Sequence, residues 1–178
     1  MLLFAYSKAF DKEASRVVIE EENIQFQLVS NHEFEELFAC VKQGIFIHVD
    51  DVFGWDDDFQ RQRLINDYHP SWFHWIYHKS ERVGLVCFKP YGNAYHVHLL
   101  IIFPQYQDQS LGKKVMSRIH EKAHQEQRNQ VTLSSFRSNT RAISFYQALG
   151  YQIVDDSDED FVGMTLSLAN HRENTDSE

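Results

Sequence analysis

The sequence predicts an α+β domain built on one mostly antiparallel sheet with helices packed against it. Three observations carry this expectation. The chain has 178 residues, enough for one good core and too few for two ordinary domains. Its segments run strand, two helices, several strands, helix, strand, helix, strand pair, judged by period-2 and helical spacing. One strand candidate, Tyr95 to Phe103, is apolar on both faces in its second half, as a central strand covered on both sides must be.

Residues 1–23 read as an N-terminal arm ending in the charged stretch Glu20-Glu21-Glu22. Ile24 to Val29 alternates apolar and polar, the pattern of a half-buried strand. Asn31 caps a helix that carries Phe34, Leu37, Phe38 and Val41, and Gly44 is its expected stop. Ile45 to Gly54 is apolar and acidic without clear period. A second helix starts at Asp56, where three aspartates suit a positive N-terminal end. Phe59, Leu64, Ile65 and Tyr68 give it an apolar side, and Pro70 ends it.

Trp72 to His78 and Arg82 to Lys89 read as strands joined by a short turn at Glu81. Tyr91-Gly92-Asn93 makes the next turn. Tyr95 to Phe103 follows and stops at Pro104. Leu111 to about Gln127 is a helix with Val115, Ile119 and Ala123 on one stripe. Val131 to Ser135 is a strand. Asn139 caps a short helix bearing Ala142, Phe145, Tyr146 and Leu149, closed by Gly150. Tyr151 to Val154 and Phe161 to Leu168 form a final strand pair around the acidic turn Asp155 to Asp160. Residues 169–178 are polar and read as a flexible tail.

Composition excludes several classes. No apolar run approaches the roughly 20 residues that span a bilayer, so no membrane is expected. The apolar start lacks a basic region and a cleavage site. Two cysteines, Cys40 and Cys87, are too few for a disulfide framework and fit a reducing cytoplasm as core residues. A net charge of -9 argues against nucleic acid. It agrees with an acidic cleft that steers a cationic amine, and it equally serves solubility.

The most informative stretch is Leu99 to Lys114: a buried strand, a proline, a short polar loop, then a helix at once. Helix N-termini present unpaired N–H groups and a positive dipole end to phosphates. Ser110 and Gly112 are small enough for close backbone approach, and Lys113 and Lys114 add charge. Main-chain amides between Gln107 and Lys113 are therefore expected to hold a diphosphate.

This segment resembles the GNAT superfamily of N-acetyltransferases, whose cofactor loop reads Q/R-x-x-G-x-G/A. Here it is Gln107-Asp108-Gln109-Ser110-Leu111-Gly112, with Ser110 in place of the first glycine. A left-handed backbone there would cost serine about 1 kcal/mol. Downstream, Asn139-x-x-Ala142-x-x-Phe145-Tyr146-x-x-Leu149-Gly150-Tyr151 is similar to the family's second signature. The close resemblance runs from Arg82 to Leu168, and the first half agrees in element order.

The resemblance implies a GNAT fold over residues 24–168: a mixed, mostly antiparallel sheet of six or seven strands, splayed at strand 4, with about four helices. It implies acetyl-CoA as co-substrate, no metal, and transfer of an acetyl group to a primary amine by direct attack in a ternary complex. The alternative is a sensor or partner module that binds acetyl-CoA without chemistry. A small-molecule or peptide amine is the implied partner, and a homodimer through late strands is allowed.

For the site, the resemblance implies that Ile101, Ile102 and Phe103 pair with the pantetheine arm through main-chain groups, one N–H polarising the thioester carbonyl. Asn139 and Tyr146 face the thiol end, with Tyr146 as general acid. Some family members carry a carboxylate base about eleven residues before the loop glutamine. Here that position is His96, and alternation puts His98 on the same face. Asp50 or Asp51 would hold an ammonium, and Trp55 would stack on a cation. Each of these residues also has a structural reading: core tyrosine, hydrogen-bonded histidine, helix cap, packed ring. His120-Glu121-Lys122-Ala123-His124 matches H-E-x-x-H, but no third ligand is placed by sequence, so it reads as a polar helix face.

Overall fold

In the computed structural model, which describes residues 23–168, strand β1 (Gln25–Leu28) is followed by a helical entry held by one carboxylate. The Ser30 N–H and hydroxyl both donate to Glu33, at 2.9 and 2.6 Å. Those two hydrogen bonds, then the Arg82 guanidinium, hold the Glu33 carboxyl down to about 2. The indole of Trp75 donates to the same carboxylate at 3.0 Å, and Arg82 pairs with it at 2.8 Å. One acid thus ties the start of a helix to the sheet.

That helix, α1 (Phe34–Phe53), does not stop at Gly44. It runs on through the aperiodic stretch and ends at Gly54, whose φ of 74° closes it. Gly44 serves packing instead: a Cβ there would lie 2.3 Å from Ile101 Cδ1. Helix α2 (Asp57–Asp67) begins where expected, with the Asp56 carboxylate accepting the Phe59 N–H at 2.7 Å. Its apolar side is not the predicted one. Leu64 and Tyr68 pack against the core, whereas Phe59 and Ile65 are 63% and 56% exposed.

Strands β2 (Phe73–His78), β3 (Glu81–Tyr91) and β4 (Ala94–Ile102) form an antiparallel meander. The first turn is Lys79–Ser80, both left-handed, and Glu81 already belongs to β3. Helix α3 (Leu111–Gln125), strand β5 (Gln130–Phe136), helix α4 (Thr140–Ala148) and strands β6 (Gln152–Asp155) and β7 (Phe161–Ser167) complete the order. The seven-stranded sheet runs β1-β2-β3-β4-β5-β7-β6, antiparallel except for the parallel pair β4–β5. The expected arm and tail lie outside the described residues, save Asn23.

The sheet has a core on each face. Leu85 and Cys87 of β3 bury with Leu37, Cys40 and Val41 of α1. Val86 and Phe88 bury with Val115, Met116 and Ile119 of α3. Burial pushes the Cys40 thiol up to about 12, and both cysteines are free and buried. No helix among the described residues is long and apolar enough to cross a membrane.

Two glycines allow close approach to β4, and their replacement differs in effect. A Cβ on Gly84 would meet the Ile101 carbonyl oxygen at 2.1 Å, which is backbone. A Cβ on Gly44 would meet only the Ile101 side chain, and alanine recovers about 1 kcal/mol of helix propensity. G84A is expected to lower unfolding free energy by about 1–3 kcal/mol and G44A by less. Equilibrium urea unfolding checks the order; equal losses would count against it.

Candidate active site

Parallel pairing of β4 with β5 runs only from Ala94–Gln130 to Val97–Leu133. At that point β4 bulges. Phe88 pairs with Val97 and Cys87 with Leu99, so His98 is the extra residue. Beyond the bulge β4 stays on β3 and β5 goes its own way. The second half of β4 is therefore half-exposed rather than a fully covered central strand.

The edge of β4 that faces the split can be assigned. The Phe103 N–H donates to the Val83 carbonyl at 2.9 Å, so it points toward β3. Alternation turns Ile101 the same way and turns Leu100 and Ile102 toward the split. The Ile102 carbonyl confirms this side, since it accepts the Gln107 side-chain N–H at 2.9 Å. Of the expected trio, Ile102 faces the gap while Ile101 and Phe103 point main-chain groups at β3; Leu100, which the sequence did not single out, shares the gap-facing edge. The missed signal was the bulge, which is a pairing property and leaves no local mark.

A cleft of about 890 Å³ opens beside the split. Its walls come from α1, α2, β4, β5 and α4, with Phe161 of β7 at one end. A smaller pocket of about 190 Å³ lies between Gly44, Ile101, Ile102 and Gln107. Both hollows share Gly44 and Ile101, so the tight contact at that glycine divides the cleft from the loop side.

The loop after β4 turns twice through left-handed backbone, at Asp108 and Ser110, each with φ of 60°. Ser110 therefore occupies the strained position foreseen for it, at about 1 kcal/mol. Ser110 is also the N-cap of α3, and no side chain caps this end. Asp56 and Asn139 do cap α2 and α4. The first-turn amides of Leu111, Gly112 and Lys113 have no partner within their helix. Asp108 is held by Arg141 of α4 at 2.9 Å, and Gln109 donates to the Gln105 carbonyl at 3.2 Å. Gly112 is small for packing: a Cβ there would approach the Phe145 ring at 3.2 Å.

Tyr146 lines the cleft and is 8% exposed; burial pushes its phenol well above the usual range. Asn139 lines the cleft too, with Oδ1 accepting the Ala142 N–H at 3.1 Å. His96 and His98 also line it, their rings 4.6 Å apart. His96 Nδ1 lies 2.8 Å from Thr132 Oγ1 on β5. His98 stacks on Trp72 at 5.9 Å, and its buried Nε2 has no hydrogen-bond partner among the described residues. Burial, then the Lys89 charge, lowers His96. Burial, His96, Lys89 and Arg63, in that order, bring His98 down to about 4. Both rings are neutral at pH 7 and free to accept a proton, with less basicity than an ordinary histidine.

Asp50, Asp51 and Trp55 are not brought to the cleft. Asp50 accepts the Trp55 N–H at 2.9 Å and braces the α1–α2 corner. The Trp55 indole donates to Asp57 at 2.5 Å and its ring packs on Phe38 and Phe46. Because α1 continues past Gly44, the cleft wall here is Val49, Phe53, Asp56, Phe59, Gln60 and Arg63. Their spacing on two crossing helices was not readable without the extended α1. In the H-E-x-x-H segment, His120 lies 2.9 Å from the Tyr151 hydroxyl and Glu121 pairs with Arg118. No group of three metal-binding side chains is gathered among the described residues.

Residues 31–151 match the acetyltransferase (GNAT) family. A sequence comparison with curated proteins finds no match. Among solved structures the chain is similar to PaiA N-acetyltransferase from Thermoplasma acidophilum in complex with coenzyme A. That likeness has a TM-score of 0.63 at 16% identity over 82% of this chain and 99% of that one. It is similar to the ribosomal-protein-S18-alanine N-acetyltransferase from Escherichia coli, with TM-score 0.60, 15% identity, and 86% and 99% coverage. It is also similar to Ard1 from Thermoplasma volcanium, with TM-score 0.60, 14% identity, and 83% and 99% coverage. At these identities the likeness is one of fold.

The lowered histidines give stability a defined pH dependence. Folded His98 binds its proton near 4 and an unfolded one near 6.5, so acid favours the unfolded chain. This contribution is complete above 6.5 and is lost as pH falls toward 4. Glu33 and Glu126, both held near 2, act in a lower window, from 4.5 downward. The melting temperature is expected to fall between pH 6.5 and 4.5, and H98F, which keeps a ring on Trp72, to reduce the slope there, with buried His74, His96 and His120 supplying the rest. An unchanged slope in the variant would remove His98 from this role.

Proposed function

The chain belongs to the acetyltransferase (GNAT) family, and from that premise we propose that it moves the acetyl group of acetyl-CoA onto a primary amine held in the cleft. The observation that carries this reading is the uncapped N-terminus of α3 at the end of an unpaired strand edge. A diphosphate fits the first-turn amides, where the helix dipole favours an anion. An extended arm fits the edge of β4, where Leu100 and the Ile102 N–H face the gap and the Ile102 carbonyl is held by the Gln107 side chain. Acetyl-CoA supplies the acetyl group and, as its thiol, the leaving group.

The residues then divide the work. A gap-facing N–H of β4 polarises the thioester carbonyl. Tyr146, kept protonated by burial, gives its proton to the departing sulfur as the C–S bond breaks and the N–C bond forms. The His96–His98 pair takes the proton that the amine sheds, directly or through water. Their lowered basicity suits a relay better than a strong base. Direct attack with both substrates in place needs no covalent enzyme intermediate, and neither buried cysteine lines the cleft.

Incubation with acetyl-CoA and a panel of amines, followed by thiol release, tests the reading. Release that depends on the acceptor is expected; coenzyme A binding with no release above hydrolysis would leave only a binding module. Tyr146→Phe is expected to lower kcat about 100-fold while coenzyme A affinity by calorimetry stays within about 2-fold. Equal turnover in the variant would take Tyr146 out of the mechanism.

A further inference from the structure

Most arginines of this acidic chain are neutralised. Arg61, Arg82, Arg118, Arg128, Arg137 and Arg141 each pair with a carboxylate. Arg63 is the remaining arginine among residues 23–168, and no described carboxylate pairs with it. It lines the cleft. A chain of net charge -9 has carboxylates to spare, so a guanidinium left without an ion pair among the described residues of this cleft is a property of the cleft.

Aromatic rings and a second cation stand near Arg63 in the cleft, while Asp67, one turn further along α2, acts on Tyr68 but does not line the cleft. The Arg63 charge acts on Tyr68, at the end of the same helix, and on His98 of β4. Lys89, seated 4.4 Å over the Trp72 ring that stacks on His98, acts on both histidines. Every charged side chain that shifts the histidine pair is therefore positive. Asp56 is the carboxylate among the described cleft-lining residues. Its Oδ1 is engaged by the Phe59 N–H, and it sits seven residues from Arg63, roughly 10 Å along α2. Phe53 and Phe59 line the same wall and are each 63% exposed.

We infer that the acceptor is an amine that also carries an oxyanion group, held by Arg63, and an apolar substituent laid on Phe53 and Phe59. A polyamine or a cationic peptide is disfavoured, because its further positive charges would meet Arg63 and Lys89 around the cleft. The planar guanidinium matches carboxylate and phosphate alike, bidentately in either case. This assignment rests on the acetyl-transfer reading and deepens it. Arg63 is a specificity-determining residue here, since it holds the acceptor away from the reacting atoms.

The test is thiol release by the full chain with acetyl-CoA and matched amines. Phenylalanine is compared with phenethylamine, 2-aminoethyl phosphate with ethanolamine, and spermidine is added. The member bearing the oxyanion is expected to show a kcat/KM about 10- to 100-fold higher than its partner. Whichever pair shows it identifies carboxylate or phosphate as the source. R63Q is expected to collapse that ratio and R63K to keep part of it. Reading a ratio separates lost recognition from lost folding, because a damaged fold lowers both members together. Neutral amines or spermidine turned over as well as the anionic amines, or a ratio unchanged in R63Q, would overturn the inference while acetyl transfer stood. No thiol release with any amine would remove acetyl transfer, and the acceptor assignment with it.

Discussion

Hydrogen bonding between β4 and β5 ends at Val97 and Leu133, and the candidate functional groups gather at and beyond that line, with His96 among the last paired residues. The His98 bulge adds one residue to β4 relative to β3, bends the strand, and leaves its far edge without a partner. An unpaired strand edge is ordinarily a liability. Here it is bounded: α1 and α2 wall one side, α4 the other, and the two sheet cores lock the strands on either side of the split. The same bulge places His98 against Trp72 and His96, so the break in pairing and the histidine pair share one cause.

Rigidity around the split comes from contacts that tolerate little change. Gly44 and Gly84 approach Ile101 from two directions, one from helix α1 and one from strand β3. Glu33 gathers Ser30, Trp75 and Arg82 at the far end of α1, so that helix is held at both the sheet edge and the split. Arg141 links α4 to the loop at Asp108, which couples the helix bearing Tyr146 to the turn that opens α3. The loop itself keeps two left-handed non-glycine residues, a strain sustained by its neighbours and typical of ligand-holding turns.

Charge is distributed against the overall sign. The chain is strongly acidic, yet the groups that reach the histidine pair are Lys89 and Arg63. Net charge argued for a cleft that attracts cations; the local arrangement argues the reverse. Long-range sign governs solubility and encounter, while recognition follows the few groups within a Debye length in a low-dielectric cleft.

Local features were legible in the sequence. The Asn139 cap with Ala142, Phe145, Tyr146 and Leu149 formed the helix expected of it, because a cap and an apolar stripe act within a few residues. The same holds for Val115, Ile119 and Ala123 of α3, for the stop at Pro104, and for the left-handed Ser110. Features set by distant partners were not. Gly44 looked like a helix stop, and only Ile101 across the split explains why α1 passes through it. That extension carried Asp50, Asp51 and Trp55 out of the cleft and brought Asp56 and Arg63 in. The sequence by itself determined most element types, the loop that opens α3 and the short helix that carries Tyr146, since these depend on backbone geometry and short-range spacing. Tertiary structure alone decided where the sheet breaks, which amides of β4 stay free and which charges face the acceptor, because strand register and helix crossing are settled by contacts between residues far apart in the chain.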